Sequence, residues 1–144
     1  MEKEKILVSA CFIHSGYKYD GGANINEKIA KLTEKYDFVL ICPEVFGGLP
    51  SPRYPSEIVG ERVVNSIGED VTDAFISGAN KALELAKQHN IKKAILKAKS
   101  PSCGKGMIYD GTFSHQVVAG NGIAAQLLIE NGIEVYTELE LDNL

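Results

Sequence analysis

The chain of 144 residues has no tryptophan, only three cysteines, and no apolar run long enough to cross a membrane. Its first five residues are mostly charged, and the apolar run that follows is short, which is not the pattern of a signal peptide. We therefore expect a cytoplasmic protein with no membrane partner. Disulfides are rare in that compartment, and an odd number of cysteines cannot all pair within one chain.

Positive charge is also scarce. The formal net charge is −4 at pH 7, so the chain has no broad basic surface for duplex nucleic acid. Five lysines nevertheless crowd around the third cysteine: Lys92, Lys93, Lys97, Lys99 and Lys105. These lysines either lie in solvent at the rim of the site or compensate the negative charge of a centre that binds there. The first strand is not followed by a Gly-x-Gly-x-x-Gly motif, which argues against a nucleotide-binding domain.

Short apolar runs alternate with amphipathic segments along the chain. The apolar runs predict strands at residues 5–10, 38–41, 93–98 and 133–136. The amphipathic segments predict helices at residues 24–36, 70–88 and 114–130. Between the second strand and the second helix, residues 43–69 predict an extended loop and a small hairpin at 58–67. Alternation of this kind implies parallel strands with right-handed crossovers. We expect one domain, residues 1–144, of the α/β class: a three-layer Rossmann-like fold whose mostly parallel sheet carries helices on both faces.

The second predicted helix has the clearest signals. Asp70 or Thr72 is the expected N-cap, and Asn90 is expected to close the helix in the left-handed conformation. Its apolar residues recur at helical spacing and predict the buried face: Val71, Phe75, Ala79, Ala82 and Ala86. The first helix is expected to bury a similar stripe: Ile25, Ile29, Leu32 and Tyr36.

Each cysteine lies where a predicted strand gives way to a loop. Cys11 ends the first apolar run, Cys42 ends the second, and Cys103 follows the third after a short turn. Parallel α/β sheets bind ligands outside the carboxyl ends of their strands, so the thiols share one crevice if the strands are neighbours. Three thiolates without a fourth are typical of a metal or iron–sulfur centre with one open coordination position. Spacing alone leaves the metal open, and His14 or His115 could complete the site.

Three polar residues lie close to these cysteines in sequence. Glu44 follows Cys42 across a proline, where it is either a general base at the mouth of the crevice or an ordinary rim charge. Ser100 and Ser102 directly precede Cys103. Their hydroxyls either donate to sulfur or substrate, or serve only the turn.

Two further residues are candidates for substrate binding. Asp20 belongs to a Tyr-Asp-Gly sequence that recurs at residues 109–111, and is either a turn residue or a substrate contact. Arg53 follows a proline-rich stretch, where it either recognises a polar ligand or pairs with Glu57.

Several motifs occur together in a fixed order: Val8-Ser9-Ala10-Cys11, Tyr17-Lys18-Tyr19-Asp20-Gly21, Cys42-Pro43-Glu44, Gly47-Gly48-Leu49-Pro50-Ser51-Pro52-Arg53, Gly68-Glu69-Asp70-Val71-Thr72, Gly78-Ala79, Leu96-Lys97, Ser100-Pro101-Ser102-Cys103-Gly104 and Tyr109-Asp110-Gly111-Thr112-Phe113. In this order they resemble the thiouracil desulfurase family, also known as domain-of-unknown-function family 523. The resemblance runs from about Ile6 to Thr137, which is nearly the whole chain.

The resemblance implies a 4Fe–4S cluster held by Cys11, Cys42 and Cys103, with the remaining iron open to the sulfur of a thiolated pyrimidine. It also implies desulfuration of 2- or 4-thiouracil, or of related nucleosides, without net redox chemistry. Glu44 and Ser100 are the implied proton-handling groups, with Ser102 as the second choice of serine. The same three cysteines would also serve a non-enzymatic module that binds or senses a metal or sulfide, and this alternative stays open from the sequence.

Overall fold

A computed structural model describes residues 3–144, which form short strands and helices in alternation. The strands are β1 Glu4–Ser9, β2 Tyr36–Ile41, β3 Ser56–Val59, β4 Arg62–Asn65, β5 Lys93–Leu96, β6 Met107–Tyr109, β7 Val117–Ala119 and β8 Glu134–Thr137. The α-helices are α1 Glu27–Lys31, α2 Pro43–Phe46, α3 Thr72–Gln88 and α4 Ile123–Glu130. Within these residues, none of the helices combines the length and apolarity that a membrane crossing requires.

The central sheet has four parallel strands in the order β2-β1-β5-β8. Its second strand, β1, is apolar on both faces because Ile6, Leu7 and Val8 are all fully buried. Continuous apolar runs are what a parallel sheet covered on both sides requires. The predicted α/β class with a parallel sheet is therefore confirmed, and each predicted strand of this sheet is present within about two residues at its ends.

Two apolar clusters cover the two faces of the sheet. On one face, Leu7 and Leu96 pack with Ala82 of α3 and Leu128 of α4. On the other face, a smaller cluster packs against Ile29 of α1: Ile6, Val8, Phe12, Tyr36 and Ile95. Alternate residues of one strand thus serve opposite faces. The molecule has the three layers of the Rossmann-like prediction, with helices on both sides.

α3 is the longest helix and buries four of the predicted residues: Phe75, Ala79, Ala82 and Ala86. Asn90 beyond its end has the predicted left-handed φ, at 53°. The cap prediction was wrong, because Val71 occupies the N-cap position and is only partly buried. Asp70 lies one residue before Val71, and its carboxylate accepts the N–H of Thr72 at 2.9 Å.

α2 fixes the segment after β2 against α3. A Cβ added at Gly78 would lie 1.7 Å from the carbonyl oxygen of Pro43, and one at Gly47 would lie 1.9 Å from that of Ala74. The two backbones therefore approach as closely as they do only because both positions are glycine. This contact sets the position of the residues just after β2, where Cys42 and Glu44 lie.

Two predicted helices differ from the structure. The first is short: Asn26 caps α1 through its side chain, Ile25 is 62% exposed, and Tyr36 already belongs to β2. The third was predicted from residue 114, but α4 begins at Ile123. Val117 and Val118 instead pair with β6 in a two-stranded antiparallel sheet, as suits β-branched residues. The hairpin predicted at 58–67 is confirmed two residues earlier, as β3 and β4.

Candidate active site

The three cysteines lie at the carboxyl edge of the central sheet. Cys11 is in the 3-10 turn Ala10–Phe12 that follows β1, and Cys42 lies between β2 and α2. Cys103 lies in the turn that follows β5. Because β1 lies between β2 and β5, these three loops are neighbours. All three thiols line one cavity of about 520 Å³, which we call the thiol cavity.

Polar groups surround two of the sulfurs. The hydroxyls of Ser9 and Ser102 lie 3.6 and 3.5 Å from Cys103 Sγ, and Asn24 Nδ2 lies 3.5 Å from Cys11 Sγ. These groups donate to sulfur, so they favour a charged or metal-bound sulfur over a neutral thiol. Ser9 stands in an otherwise apolar strand, and its hydroxyl also accepts the N–H of Lys97 at 3.0 Å.

Burial raises the pKa of all three thiols, that of Cys103 to about 12. Hydrogen bonds from Ser102 and Ser9 oppose this rise in the pKa of Cys103, whereas ionisation of Cys42 or Cys11 would raise it further. The thiol of Cys42 donates to the carbonyl oxygen of Tyr17 at 3.5 Å. Free thiols at this site are therefore protonated at neutral pH, and three thiolates there require a cationic centre.

The three thiols line the cavity without forming a site for a single metal ion. Among residues 3–144, no three side chains of the types His, Cys, Asp and Glu are arranged to hold one metal ion. His14 is exposed and is not part of the cavity lining. His115 does line the cavity, but it is exposed and lies edge-on to Tyr109, with ring centroids 6.2 Å apart.

Glu44 is held between a cation and a hydroxyl inside the thiol cavity. Its Oε1 accepts from Arg53 Nε at 3.1 Å, and its Oε2 accepts from the Ser102 hydroxyl at 3.2 Å. The side chains of Glu44 and Arg53 are only 14% and 6% exposed. A pair this well buried, with further hydrogen bonds, holds the carboxylate in one orientation.

The guanidinium of Arg53 has several protein partners. It donates to the carbonyl oxygens of Tyr17 at 2.9 Å and Pro50 at 3.3 Å, and to the hydroxyl of Ser51 at 3.3 Å. Of the two alternatives for Arg53, the pairing with Glu57 is wrong, because Arg53 forms its salt bridge with Glu44. Arg53 lines the cavity, where it orients that carboxylate.

Ser100 closes the turn that presents Cys103. Its hydroxyl oxygen accepts the N–H groups of Ser102 and Cys103, both at 3.1 Å, while its carbonyl oxygen accepts the N–H of Gly104 at 2.8 Å. The hydroxyls of Ser100 and Ser102 are 3.0 Å apart. The single hydrogen of Ser102 can be donated to Glu44 Oε2 or to Cys103 Sγ, and in both cases Ser100 is the donor between the two serines.

Asp20, a predicted substrate contact, lies outside the cavity lining. Its exposed carboxylate accepts the N–H of Gly22 at 2.8 Å and lies 3.6 Å from Lys18 Nζ. These bonds shape its own loop, while the neighbouring Lys18 and Tyr19 line the cavity. The other predicted residues all line it: Cys11, Cys42, Glu44, Arg53, Ser100, Ser102 and Cys103.

A family comparison bears directly on this arrangement. The model of the family described as 2-thiouracil desulfurase matches residues 6–140, nearly the whole chain.

The chain belongs to the 2-thiouracil desulfurase family.

Membership makes it an enzyme of the desulfurase type, as the resemblance of its motifs predicts. Two similar proteins support the assignment. The uncharacterized protein YbbK of Bacillus subtilis strain 168 is 42% identical over 149 residues, covering 96% of this chain and 99% of YbbK. A solved structure described as a [4Fe-4S]-dependent thiouracil desulfidase, TudS (DUF523Vcz), is 43% identical. It superimposes with a TM-score of 0.90 and covers 99% of this chain and 95% of its own.

Several cavity residues of this desulfurase family member have no obvious signal in the sequence. Asn24 lies in an irregular segment and reaches Cys11 only through folding. Lys97 pairs with Glu138 at 2.9 Å, far along the chain. Ser9 could have been found, because a polar residue in a fully buried strand needs a partner. For Glu57, the sequence predicts only a possible pairing with Arg53.

Proposed function

We propose that this chain replaces the sulfur of thiolated pyrimidines, such as 2- or 4-thiouracil or related nucleosides, by oxygen, with a 4Fe–4S cluster in the thiol cavity. The observation that carries the proposal is the meeting of three thiols with a buried, oriented carboxylate in one cavity of a desulfurase family member. The name of the 43% identical structure supports the cluster and the thiouracil substrate.

Cys11, Cys42 and Cys103 are the proposed ligands. In a four-iron cluster each thiolate binds a different iron, so the sulfurs need not converge on one point. Thiols that line a cavity without forming a single-ion site fit that requirement. The hydroxyl and amide donors beside Cys103 and Cys11 suit sulfur that carries negative charge.

Three cysteines leave one iron without a protein ligand. When bound, such a cluster would supply a Lewis-acidic iron that takes the thiocarbonyl sulfur and polarises the C–S bond. The net reaction exchanges sulfur for the oxygen of water and releases sulfide, so it needs no electron donor. The chain itself must therefore activate water and move protons.

Glu44 is the proposed general base. Arg53 occupies its Oε1 and leaves Oε2 facing Ser102, so the carboxylate has one fixed route for a proton. The donors run from the Ser100 hydroxyl to Ser102 and from Ser102 to Glu44, at 3.0 and 3.2 Å. A proton taken near Ser100 can reach Glu44 by two short transfers along these bonds.

The test is anaerobic reconstitution with iron and sulfide, followed by incubation with 2-thiouracil and 4-thiouracil. We expect about four irons per chain and release of uracil and sulfide in equal amounts without added reductant. Cys11→Ser, Cys42→Ser and Cys103→Ser should each lose most of the iron, because a hydroxyl is a poor substitute for a soft thiolate. A protein that stays colourless after reconstitution would overturn the cluster assignment.

The same experiment separates the enzyme from a module that binds a metal or sulfide without turnover. Iron loading with thiouracil binding but no uracil would favour the module. Iron loss in only two of the three cysteine variants would remove the third cysteine from the ligand set.

A further inference from the structure

Glu57 is a buried acid that the proposed chemistry does not use. It lies on β3, is 8% exposed, and lines the thiol cavity. Its Oε1 accepts two backbone N–H groups, from Gly111 at 2.9 Å and from Phe113 at 3.2 Å. One oxygen of this carboxylate therefore ties β3 to the loop between β6 and β7.

Within residues 3–144, both hydrogen bonds of the Glu57 side chain are made by Oε1. Oε2, the second carboxylate oxygen, has no hydrogen-bond partner there. In the same part of the chain, no fully buried side-chain oxygen or nitrogen lacks a hydrogen-bond partner. Oε2 is therefore accessible, and the surface that Glu57 presents is the cavity wall. Arg53, a cation that also lines the cavity, is engaged with Glu44, and within residues 3–144 Glu57 forms no salt bridge. A carboxylate oxygen left open in a largely buried wall is suited to accept a ligand's N–H.

We propose that Glu57 Oε2 accepts the ring N3–H of the thiolated pyrimidine and so selects uracil-type over cytosine-type bases. This inference rests on the proposed function, since it assigns a contact to that substrate. N3–H flanks the thiocarbonyl carbon of both 2- and 4-thiouracil and survives when N1 carries a sugar. A cytosine-type ring has a lone pair at N3 instead of an N–H group. Glu57 Oε2 would then have no donor and would lie opposite a second acceptor.

The loop that Glu57 holds brings an aromatic ring to the same cavity. Phe113 has a left-handed φ of 57°, and its N–H is one of the two that Glu57 accepts. Its side chain lines the cavity and is 37% exposed. A flat ring beside an N–H acceptor is an arrangement that suits a planar base. The carboxylate thus positions the aromatic ring with one oxygen and keeps the other for the ligand.

Glu57→Gln is the discriminating variant, because an amide can turn its oxygen toward the two backbone N–H groups. The loop then keeps its bonds, while the cavity receives an N–H₂ donor in place of the carboxylate oxygen. Glu61→Gln is the matched control, since Glu61 is exposed in the turn of the same hairpin and does not line the cavity.

The probes are 2-thiouracil, 1-methyl-2-thiouracil, 3-methyl-2-thiouracil and 2-thiocytosine, assayed for kcat/KM with the cluster-loaded protein. Calorimetric binding of uracil and cytosine gives a second readout that needs no turnover. For the wild-type protein we expect 2-thiouracil and its 1-methyl derivative to react similarly. The 3-methyl derivative and 2-thiocytosine should be roughly 10- to 100-fold poorer, as expected for an unpaired group at a charged hydrogen bond.

In Glu57→Gln the preference for 2-thiouracil over 2-thiocytosine should fall by at least about 10-fold, because the amide donates to the cytosine N3. Calorimetry should show a similar fall in the preference for uracil over cytosine. Glu61→Gln should keep the wild-type preference in both measurements. If the wild-type protein releases uracil but has similar kcat/KM for 2-thiouracil, its 3-methyl derivative and 2-thiocytosine, the role of Glu57 is overturned. The proposed function is then still supported. Failure to desulfurate any of the probes overturns the proposed function. Equal calorimetric affinity for uracil and cytosine would then overturn the Glu57 assignment as well.

Discussion

At the scale of single residues, Glu44 is the group whose surroundings are most specific. One carboxylate oxygen meets a guanidinium and the other a serine hydroxyl, in a cavity shared with three thiols. Neither neighbour is adjacent to it in sequence. The carboxylate is therefore fixed by residues that folding brings together, which is what a positioned base requires.

Glu44→Gln tests this role. The amide keeps the shape of the side chain but cannot accept a proton, so kcat should fall by roughly 10²- to 10⁴-fold, the usual contribution of a general base. Iron content and visible absorbance should be those of the wild-type protein. Glu61→Gln serves again as an exposed control and should have wild-type kcat. Near-wild-type turnover by Glu44→Gln with a full cluster would show that the base is another group.

The two serines make different predictions although they are two residues apart. Ser102→Ala removes the hydroxyl between Ser100 and Glu44, so the rate should fall while iron content is retained. Ser100→Ala also removes the acceptor of two N–H groups in the turn that carries Cys103, so both rate and iron content should fall. Iron analysis and kcat of the two variants in parallel provide the check. Equal iron loss in both would mean that Ser102 also supports the ligand turn.

At the scale of secondary structure, the contact between α2 and α3 positions Cys42 and Glu44. It depends on the missing side chains of Gly47 and Gly78, which let backbone meet backbone. The short helix α2 directly follows Cys42 and contains Glu44. A change on α3 can therefore reach the site without touching it.

Gly78→Ala should displace α2. The new methyl group would lie 1.7 Å from the carbonyl oxygen of Pro43, so we expect destabilisation of about 1–3 kcal/mol and a loss of iron content. Asn80→Ala, at an exposed position of the same helix, is the control and should change neither. Thermal unfolding and iron analysis measure the two effects. A stable Gly78→Ala protein with full iron would show that α2 can move without cost to the site.

The start of α3 carries a pH-dependent contribution. The hydrogen bond from Arg62 holds the pKa of Asp70 well below its usual range, with help from Thr72. A carboxyl whose pKa is lower in the folded state stabilises the fold above its unfolded pKa of about 3.9, and this contribution is lost as pH falls through the folded value. Asp70→Asn should thus be less stable than the wild-type protein at pH 7, and the difference should shrink below about pH 4. Denaturant unfolding at both pH values checks this, and a difference that grows in acid would contradict it.

The elements that sequence patterns predicted well are those whose burial is continuous. The four central strands have apolar runs and α3 has an apolar stripe, and all are present. The patterns failed where local geometry competes with periodicity. Residues 114–122 contain two valines and two glycines that favour a hairpin and a break, so α4 begins late. The four-residue helix α2 is too short to produce a periodic signal.

At the scale of the whole molecule, the sheet order explains why the three thiols could be predicted to meet. Parallel strands share one carboxyl edge, so cysteines after three neighbouring strands must lie near each other. The rest of the site could not be inferred in this way. Arg53 lies in an irregular segment whose path depends on tertiary contacts, and the tie between Glu57 and the loop at 111–113 joins two distant hairpins.

Cluster loading should stabilise the entire domain. The proposed ligands follow three different strands, and a group that binds the folded but not the unfolded chain shifts unfolding to higher temperature. We expect the loaded protein to have a higher Tm than the cluster-free protein under anaerobic conditions. Cys103→Ser, which should not load, provides the control and should have the same Tm with and without reconstitution. Equal Tm values for loaded and cluster-free wild-type protein would mean that the group does not bridge the strands.

The two antiparallel hairpins are built as attachments to the central sheet. Within residues 3–144, β3 pairs with β4 and β6 with β7, and neither hairpin joins a ladder of the central sheet. An isolated bridge links Ile108 of β6 to Lys99, which follows β5. Yet Glu57, Tyr109 and Phe113 reach the thiol cavity from the hairpins. The proposed recognition of the base and the proposed sulfur chemistry would thus reside on separate parts of one small domain. Exchanging the hairpins between relatives should then change the preferred base while the proposed cysteine ligands stay in place.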